Sequence, residues 1–176
     1  STITQQYVKI LYLNQERSYT RKVKEAILSL KVQRTQSKTQ ILEGYLNTIY
    51  FGRGAYGVQA ASRAFFDKDA EDLTLKESAV LASVLNNPTN FDPANGKDNK
   101  RALKERYVYV LDGMAEAGNI TAEEAAKAEK SLPKFPEIKA ESKYGDQRGH
   151  MLKLVRDEMH DLGYTDDQID SQGYRI

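Results

Sequence analysis

The sequence predicts a mainly α fold class from three observations. Apolar residues recur at spacings of three and four over most of the 176 residues, which is the period of a helix packed on one face. Three short segments fit the capping box that opens a helix. Alternating apolar and polar runs, which would indicate half-buried strands, are almost absent.

Two helices are predicted near the N-terminus. The first covers residues 2–13 and ends in a turn at 14–18, where polar residues break the periodic pattern. Thr20 is the predicted N-cap of the second helix, over 21–33. The apolar stripes predicted for these two helices are Ile3, Tyr7, Ile10 and Leu11, then Val23, Ile27 and Leu30.

A third helix follows the capping box between Ser37 and Gln40. Its predicted buried residues are Ile41, Leu42, Tyr45, Leu46 and Ile49. The glycine-rich stretch from Gly52 to Gly57 predicts a turn, and a short helix should then run through Phe66.

Further helices are predicted from Thr74, which begins another capping box, and over about 98–117, which Gly118 closes. The helix after Thr74 ends at Asn87-Pro88 because proline disfavours the helical conformation of the residue before it. The next helix should be short and capped by Thr121. Residues 91–96 are predicted to be a loop.

Pro133 and Pro136 predict a boundary between residues 1–136 and 137–176. Beyond it we expect a linker at 137–145, a helix over 146–162 and the start of a strand at 173–176. The apolar stripe of that helix is Met151, Leu154, Val155, Met159 and Leu162.

Composition is that of an ordinary globular protein, with 40% hydrophobic and 29% charged residues. The chain has no cysteine, which excludes disulfides and thiolate metal sites. No apolar run reaches the roughly 20 residues that span a bilayer, and no signal peptide opens the chain. The opening residues look like the middle of a structured segment, so we expect a chain that lacks its natural N-terminal part.

Charge is unevenly distributed along the chain. The net charge of +1 argues against a nucleic-acid partner. Residues 1–40 nevertheless contain eight Lys or Arg residues against two acidic ones, so this segment carries +6 and the remainder −5. A basic patch suits an anionic ligand such as a phosphate, but a solvated charged surface has the same composition.

Polar residues in the first helix form a candidate binding face. Thr2, Gln6 and Lys9 are spaced by four and three, so a helix places them on one side. Such a face could bind a phosphate or a sugar, or it could simply face solvent.

Arg21 and Glu25 lie one turn apart in the second helix, on the side away from its apolar stripe. Their spacing alone favours a surface ion pair of little energetic value. The functional alternative is a carboxylate held by cations beside an anionic leaving group.

Glu43 and Asn47 share a face of the third helix, where a structural pair is the favoured interpretation. Asn47 could also anchor the turn between Gly52 and Gly57. That turn lacks the spacing of a nucleotide-binding loop, and His150 and His160 stand apart from any catalytic pattern.

Four segments together resemble the motifs of glycosyltransferase family 51, the peptidoglycan glycosyltransferases of class A penicillin-binding proteins. They appear in the family's order and cover residues 1 to about 135. In two places the chain departs from the usual motif: Tyr7 stands where Leu is usual, and Ile10 where Asn is usual. The matching segments are STITQQYVK (1–9), RKVKE (21–25), KTQILEGYLN with YFG (38–52), and AVLA followed by NP and FDP (79–93).

This resemblance implies a lysozyme-like helical domain that polymerises lipid II outside the cytoplasmic membrane, with inversion at the sugar and release of the lipid pyrophosphate. It places the catalytic glutamate base upstream of Ser1, so this fragment alone should be inactive. Residues 1–136 would be the glycosyltransferase domain without its N-terminal part, and 137–176 would lead towards a transpeptidase domain. The missing part would contact the membrane.

The resemblance also assigns roles to residues. Glu25 matches a second glutamate that assists pyrophosphate departure, directly or through a divalent cation such as Mg²⁺ or Mn²⁺. Lys9 and Arg21 match phosphate-contacting positions, and Thr2 and Gln6 match polar positions of the same cleft. It further implies binding of moenomycin-type inhibitors.

Two other functions remain open at this point. One is a lytic transglycosylase of lysozyme-like fold, which cleaves glycan strands and needs no cationic phosphate site. The other is a non-catalytic remnant that only binds the lipid pyrophosphate or moenomycin.

Overall fold

The computed structural model describes residues 2–12, 19–136, 146–165 and 168–169. These residues are mainly helical, as predicted. The α-helices are α1 (Ile3–Tyr12), α2 (Tyr19–Thr35), α3 (Lys38–Thr48), α4 (Val58–Phe66), α5 (Leu75–Val84), α6 (Lys97–Glu116), α7 (Ala122–Glu129) and α8 (Asp146–Asp161). Short 3-10 helices lie at Ala70–Asp72 and Pro93–Asn95, and two short strands, β1 (Tyr50–Gly52) and β2 (Ala55–Tyr56), form an antiparallel hairpin.

The three predicted capping boxes open α3, α5 and α7. At α3, the Gln40 N–H donates to Ser37 Oγ at 3.2 Å while the Ser37 N–H donates to Gln40 Oε1 at 2.9 Å. Each box satisfies two backbone donors that the first turn leaves without helical partners. The N-cap predicted at Thr20 is wrong, because α2 already includes Tyr19 and Thr20.

The main core lies among α4, α5, α6, α7 and the hairpin. α6 packs against both α5 and α7. Burial of these large apolar side chains is the main source of the domain's stability. The fully buried large residues of this core are Phe51, Phe65, Val80, Val84, Leu103, Tyr107 and Leu111.

The predicted glycine turn is the tip of the β1–β2 hairpin. Gly52, Arg53 and Gly54 all have positive φ, at 97°, 53° and 67°. Glycine accepts this region without strain, whereas arginine is uncommon there. Gly57, at φ 85°, is the N-cap of α4, and its N–H donates to the Ile49 carbonyl at 2.9 Å.

Arg53 holds the hairpin to the rest of the domain. Its Nε and Nη2 donate to the two carboxylate oxygens of Asp92 at 2.9 and 2.6 Å, and its Nη1 donates to the Ala64 carbonyl at 2.9 Å. The guanidinium carbon lies 4.1 Å from the centroid of the Phe65 ring. Burial of Asp92 acts to raise its pKa, but the hydrogen bonds from Arg53 and from the Ala94 N–H outweigh this effect and lower the pKa.

The apolar stripe predicted for the first helix is only partly correct, and the stripe predicted for the second helix is wrong. In α1 the buried residues are Thr4 and Val8, and Ile3 of the predicted stripe is 45% exposed. In α2 the predicted stripe is the exposed side, with Val23, Ile27 and Leu30 about 60% exposed. The reason is tertiary: α2 packs on α1 and α3 and buries its opposite, polar face.

The third helix follows its prediction more closely. Ile41 and Tyr45 are buried, and Leu46 and Ile49 are partly buried against the core. Leu42 is the exception, at 45% exposed.

The chain divides into two compact units, residues 1–136 and 137–176. In the second unit, α8 is confirmed, and Gly163 with φ 91° follows its last turn. Within its predicted stripe Val155 and Met159 are half-buried, whereas Met151 and Leu154 are exposed. The turn at 14–18, the linker at 137–145 and the strand at 173–176 lie outside the described residues.

Among the described ranges, no helix combines the length and the hydropathy that a membrane crossing requires.

Candidate active site

The candidate site is built around Glu25, whose side chain α2 buries. Glu25 is only 2% exposed, and one of its carboxylate oxygens accepts a hydrogen bond from Lys22 Nζ at 2.6 Å. The two residues are three positions apart, so they meet on the same side of the helix. A buried carboxylate is costly unless it is paired, and Lys22 supplies that charge.

The Lys22 side chain is 56% exposed, in contrast to its partner. The pair therefore has a fixed, buried anionic end and a cationic end that solvent reaches. A ligand that carries negative charge could approach the ammonium group without displacing Glu25. This asymmetry distinguishes the pair from an ordinary surface ion pair, in which both side chains are free to move.

Polar contacts continue along the buried face of α2. Ser29, one turn after Glu25, is buried, and its hydroxyl donates to the Glu25 carbonyl at 2.6 Å. Nearer the end of α2, Gln33 Nε2 donates to the hydroxyl of the buried Thr4 in α1 at 3.3 Å. These contacts fix which face of α2 points towards α1, and so hold Glu25 in the interior.

A second set of contacts joins α1 to α3. Tyr45 Oη donates to Gln6 Oε1 at 3.4 Å, and burial raises the pKa of the Tyr45 hydroxyl. Tyr7, the neighbour of Gln6, has its ring against Gly44, the neighbour of Tyr45. Gln6 is thus held by α3 rather than freely solvated.

The remaining predicted binding residues lie on α1, on α2 and directly before α1. Thr2 Oγ1 accepts the Gln5 N–H at 3.2 Å, so this hydroxyl caps the start of α1. Lys9 is exposed on α1, and Arg21 is half-buried on α2, one turn before Glu25. Lys9 and Glu25 form no ion pair in the described part of the chain.

Sequence reasoning missed Lys22 as the direct partner of Glu25. Residues three or four positions apart in a helix lie on the same side. From the sequence, Lys22 and Arg21 were therefore equally good candidates for the partner of Glu25. Only the packing of α2 shows that Lys22 contacts the buried carboxylate. The predicted surface ion pair underestimated the burial of Glu25, because the side of α2 away from its apolar stripe was expected to face solvent.

Glu43 and Asn47 are both exposed on α3. The side chain of Asn47 makes no hydrogen bond to the hairpin within the described chain, whereas its backbone carbonyl lies directly against Gly57. A Cβ atom at Gly57 would come within 2.6 Å of that carbonyl oxygen. The end of α3 and the start of α4 are therefore held by close backbone packing.

A protein-built metal centre is not evident in the described residues. They contain no group of three or more His, Cys, Asp or Glu side chains placed to hold an ion. The Lys22 ammonium already contacts the Glu25 carboxylate, and a metal ion bound there would have to replace it.

The described part of the chain is a mainly helical domain with a buried carboxylate on a basic helix, and comparison with known protein families identifies its class. Residues 1–115 match the family described as Transglycosylase, and the chain belongs to that family. The resemblance to glycosyltransferase family 51 and the mainly α, lysozyme-like fold class are confirmed.

The relatives of this chain include penicillin-binding proteins. Penicillin-binding protein 4 of Bacillus subtilis (strain 168) is 41% identical over 162 residues, which are 92% of this chain and 25% of that protein. Penicillin-binding protein 1A of Neisseria flavescens is 44% identical over 179 residues, covering 100% of this chain and 21% of that protein. The chain thus spans about a quarter or less of the length of these relatives.

A solved structure supports the fold. The crystal structure of Penicillin-Binding Protein 1A from Haemophilus influenzae is similar with a TM-score of 0.51 and 24% identity, over 95% of this chain and 20% of that one. At this level of identity the similarity speaks for the fold alone.

Proposed function

We propose that the protein containing this chain is a peptidoglycan glycosyltransferase that polymerises lipid II at the outer face of the cytoplasmic membrane. The observation that carries the proposal is the ion pair between the buried carboxylate of Glu25 and Lys22, in a chain of the transglycosylase family. In this proposal α1 and α2 bind the diphosphate of the donor, and a glutamate upstream of this chain acts as the base. The fragment alone is then inactive.

The chemistry accounts for the charge of the first 40 residues. The 4-hydroxyl of the acceptor sugar attacks C1 of the donor while the bond from C1 to the diphosphate oxygen breaks, and negative charge develops on that oxygen. Fixed cations at this place lower the barrier, because they need no reorganisation as the charge appears. Lys9, Arg21 and Lys22 are the cations we assign to it.

Glu25 in this scheme keeps the cations in place. Its carboxylate is buried in the helix packing and holds the Lys22 ammonium at 2.6 Å. An ammonium group on a long flexible side chain otherwise samples many positions, and a fixed position favours the transition state over the ground state.

A divalent cation is compatible with the family resemblance, but the described residues do not form a site for it. Glu25 is a single carboxylate with an ammonium group already on it. We therefore derive no step through a metal. If a cation takes part, the diphosphate oxygens must supply most of its ligands.

The test is polymerisation of lipid II by the full-length protein with Glu25→Gln, compared with Glu105→Gln as a matched control. Glu105 is exposed on α6, well separated in sequence from the site. Glutamine keeps the size of Glu25 but loses the charge that holds Lys22, so we expect polymerisation to fall at least 100-fold. Full activity of Glu25→Gln would remove Glu25 from the mechanism.

Two further outcomes would replace the proposal. Release of soluble muropeptides from purified cell wall, without polymerisation, would favour a lytic transglycosylase. Tight moenomycin binding by a full-length protein that neither polymerises nor cleaves would favour a non-catalytic binding role. In the preferred case moenomycin binds and competes with lipid II, and removing the Lys22 charge with Lys22→Gln weakens its binding.

A further inference from the structure

Tyr7 and Gly44 form a close contact between α1 and α3. A Cβ atom at Gly44 would lie 2.9 Å from Tyr7 Cε2 and nearer still to Tyr7 Cζ and Oη. Real Cβ atoms almost never approach other atoms within 3.0 Å. The tip of the Tyr7 ring therefore occupies the space that any other side chain at position 44 would need.

Gly44 has no conformational reason to be glycine. It lies within α3 (Lys38–Thr48) and does not have positive φ. Glycine weakens a helix relative to alanine. The ring of Tyr7 is therefore the observed reason for glycine at this position.

The contact is one half of a reciprocal arrangement. Tyr7 of α1 reaches over Gly44 of α3, while Tyr45 of α3 reaches back to Gln6 of α1 with a hydrogen bond of 3.4 Å. The two pairs use adjacent residues on both helices. Together they restrict both the distance between α1 and α3 and the rotation of α1 about its own axis.

The orientation of α1 matters because this helix contributes residues to the candidate site and also packs on α2, which carries Glu25. It carries Gln6 and Lys9, and it packs on α2 through the bond between Thr4 and Gln33. A rotation or outward shift of α1 would move Lys9 relative to the carboxylate of Glu25. Displacements of about 1 Å can cost on the order of 100-fold in rate when they misplace a catalytic group.

We infer that the Tyr7 ring seated on Gly44 is a positioning device, which sets α1 against α3 so that Lys9 meets the donor diphosphate. This inference rests on the proposed function. Tyr7 and Gly44 are positioning residues rather than catalytic ones, because they act through the placement of α1.

The experiment compares Gly44→Ala, Tyr7→Leu and the double variant in the full-length protein, with steady-state polymerisation of lipid II. The methyl group of Gly44→Ala should displace the tip of the Tyr7 ring and remove the contact that seats α1 on α3. We then expect kcat to fall about 10-fold with little change in KM. Leucine ends before the ring atoms that contact Gly44. Tyr7→Leu alone should lower kcat by no more than about 3-fold, because the other contacts between α1 and α3 remain. The double variant should return to the level of Tyr7→Leu, a strong departure from additivity.

Gly113→Ala is the matched control. Gly113 is also a helical glycine, in α6, but no heavy atom of its surroundings lies within 4 Å of the point that a Cβ atom would occupy. The Gly113→Ala variant should leave kcat unchanged and should keep or raise the thermal midpoint of unfolding. Normal kcat in Gly44→Ala, or a double variant as impaired as Gly44→Ala, would overturn the inference.

Amide hydrogen exchange separates this inference from the proposed function. Gly44→Ala should speed exchange in α1, and adding Tyr7→Leu should reverse this change. If the wild type does not polymerise lipid II, the proposed function fails. In that case unchanged exchange in Gly44→Ala would overturn the positioning device as well, whereas a reversible acceleration would support it.

Discussion

Replacing Asp92 with asparagine tests whether Arg53 holds the hairpin through a paired charge. Asp92 is 6% exposed, and it accepts two hydrogen bonds from Arg53, at 2.9 and 2.6 Å. Asparagine keeps one acceptor oxygen but sets an N–H₂ group against the guanidinium, so one bond and the charge pairing are lost. Arg53 remains packed on Phe65 without its counter-charge.

The expected loss is about 3 kcal/mol in the free energy of unfolding. Breaking a fully buried ion pair by removing one partner costs roughly 3–5 kcal/mol. We expect the lower end because the Arg53 side chain is 21% exposed and water can solvate part of its charge. For a domain of this size that corresponds to a thermal midpoint lower by roughly 10 °C.

Urea unfolding of the chain, followed by the helical signal in circular dichroism, measures this loss. The control is Arg101→Gln, which breaks the ion pair between Arg101 and Asp98 in α6; the two side chains are 73% and 90% exposed. It should change stability by less than about 0.5 kcal/mol. If Asp92→Asn is no more destabilising than this control, the buried pair does not contribute as argued.

The difference between wild type and Asp92→Asn should also depend on pH in one direction. Asp92 has a lowered pKa in the folded state, so its stabilising contribution is complete above the unfolded value of about 3.9 and is lost as the pH falls through the folded value. A difference that stays constant throughout acidification would contradict the charge pairing.

Two further predictions concern the hairpin and the core. Gly57→Ala should lower the free energy of unfolding, measured by urea, by about 2 kcal/mol or more. Gly57 has φ 85°, and a Cβ atom there would meet the Asn47 carbonyl oxygen at 2.6 Å. The control is Gly118→Ala, which should cost less because Gly118 has φ 72° but open space around it. Burial, with the nearby charge of Glu129, raises the pKa of Tyr107 to about 12. Wild-type stability should therefore fall as pH rises from about 10 to 12, and the difference from Tyr107→Phe should shrink over that range; a pH-independent difference would contradict this assignment.

Local signals in the sequence were sufficient for most of the secondary structure. The boxes at Ser37, Thr74 and Thr121 depend on residues only three positions apart, so the helix starts they predict need no tertiary information. The glycine-rich stretch likewise predicted the turn, and its glycines have positive φ in the structure. Thr20 failed as a cap because a single preferred residue type, without the reciprocal glutamate or glutamine, is a weak signal.

The faces of the first two helices could not be predicted in the same way. The periodicity of Val23, Ile27 and Leu30 identifies an apolar side, but whether other parts of the chain cover it depends on packing. α2 instead packs through Glu25 and Ser29. The family motifs predicted a role for Glu25, whereas only the structure could show that Lys22 contacts its carboxylate.

Arg53 meets two demands that favour different residues. Its backbone, at φ 53°, would be easiest for glycine or asparagine, while only a guanidinium can donate to both oxygens of Asp92 and to a carbonyl at once. No natural substitution satisfies both. We therefore expect this turn to tolerate few substitutions. A residue that suits the backbone conformation better at position 53 would lose the hydrogen bonds that hold the hairpin.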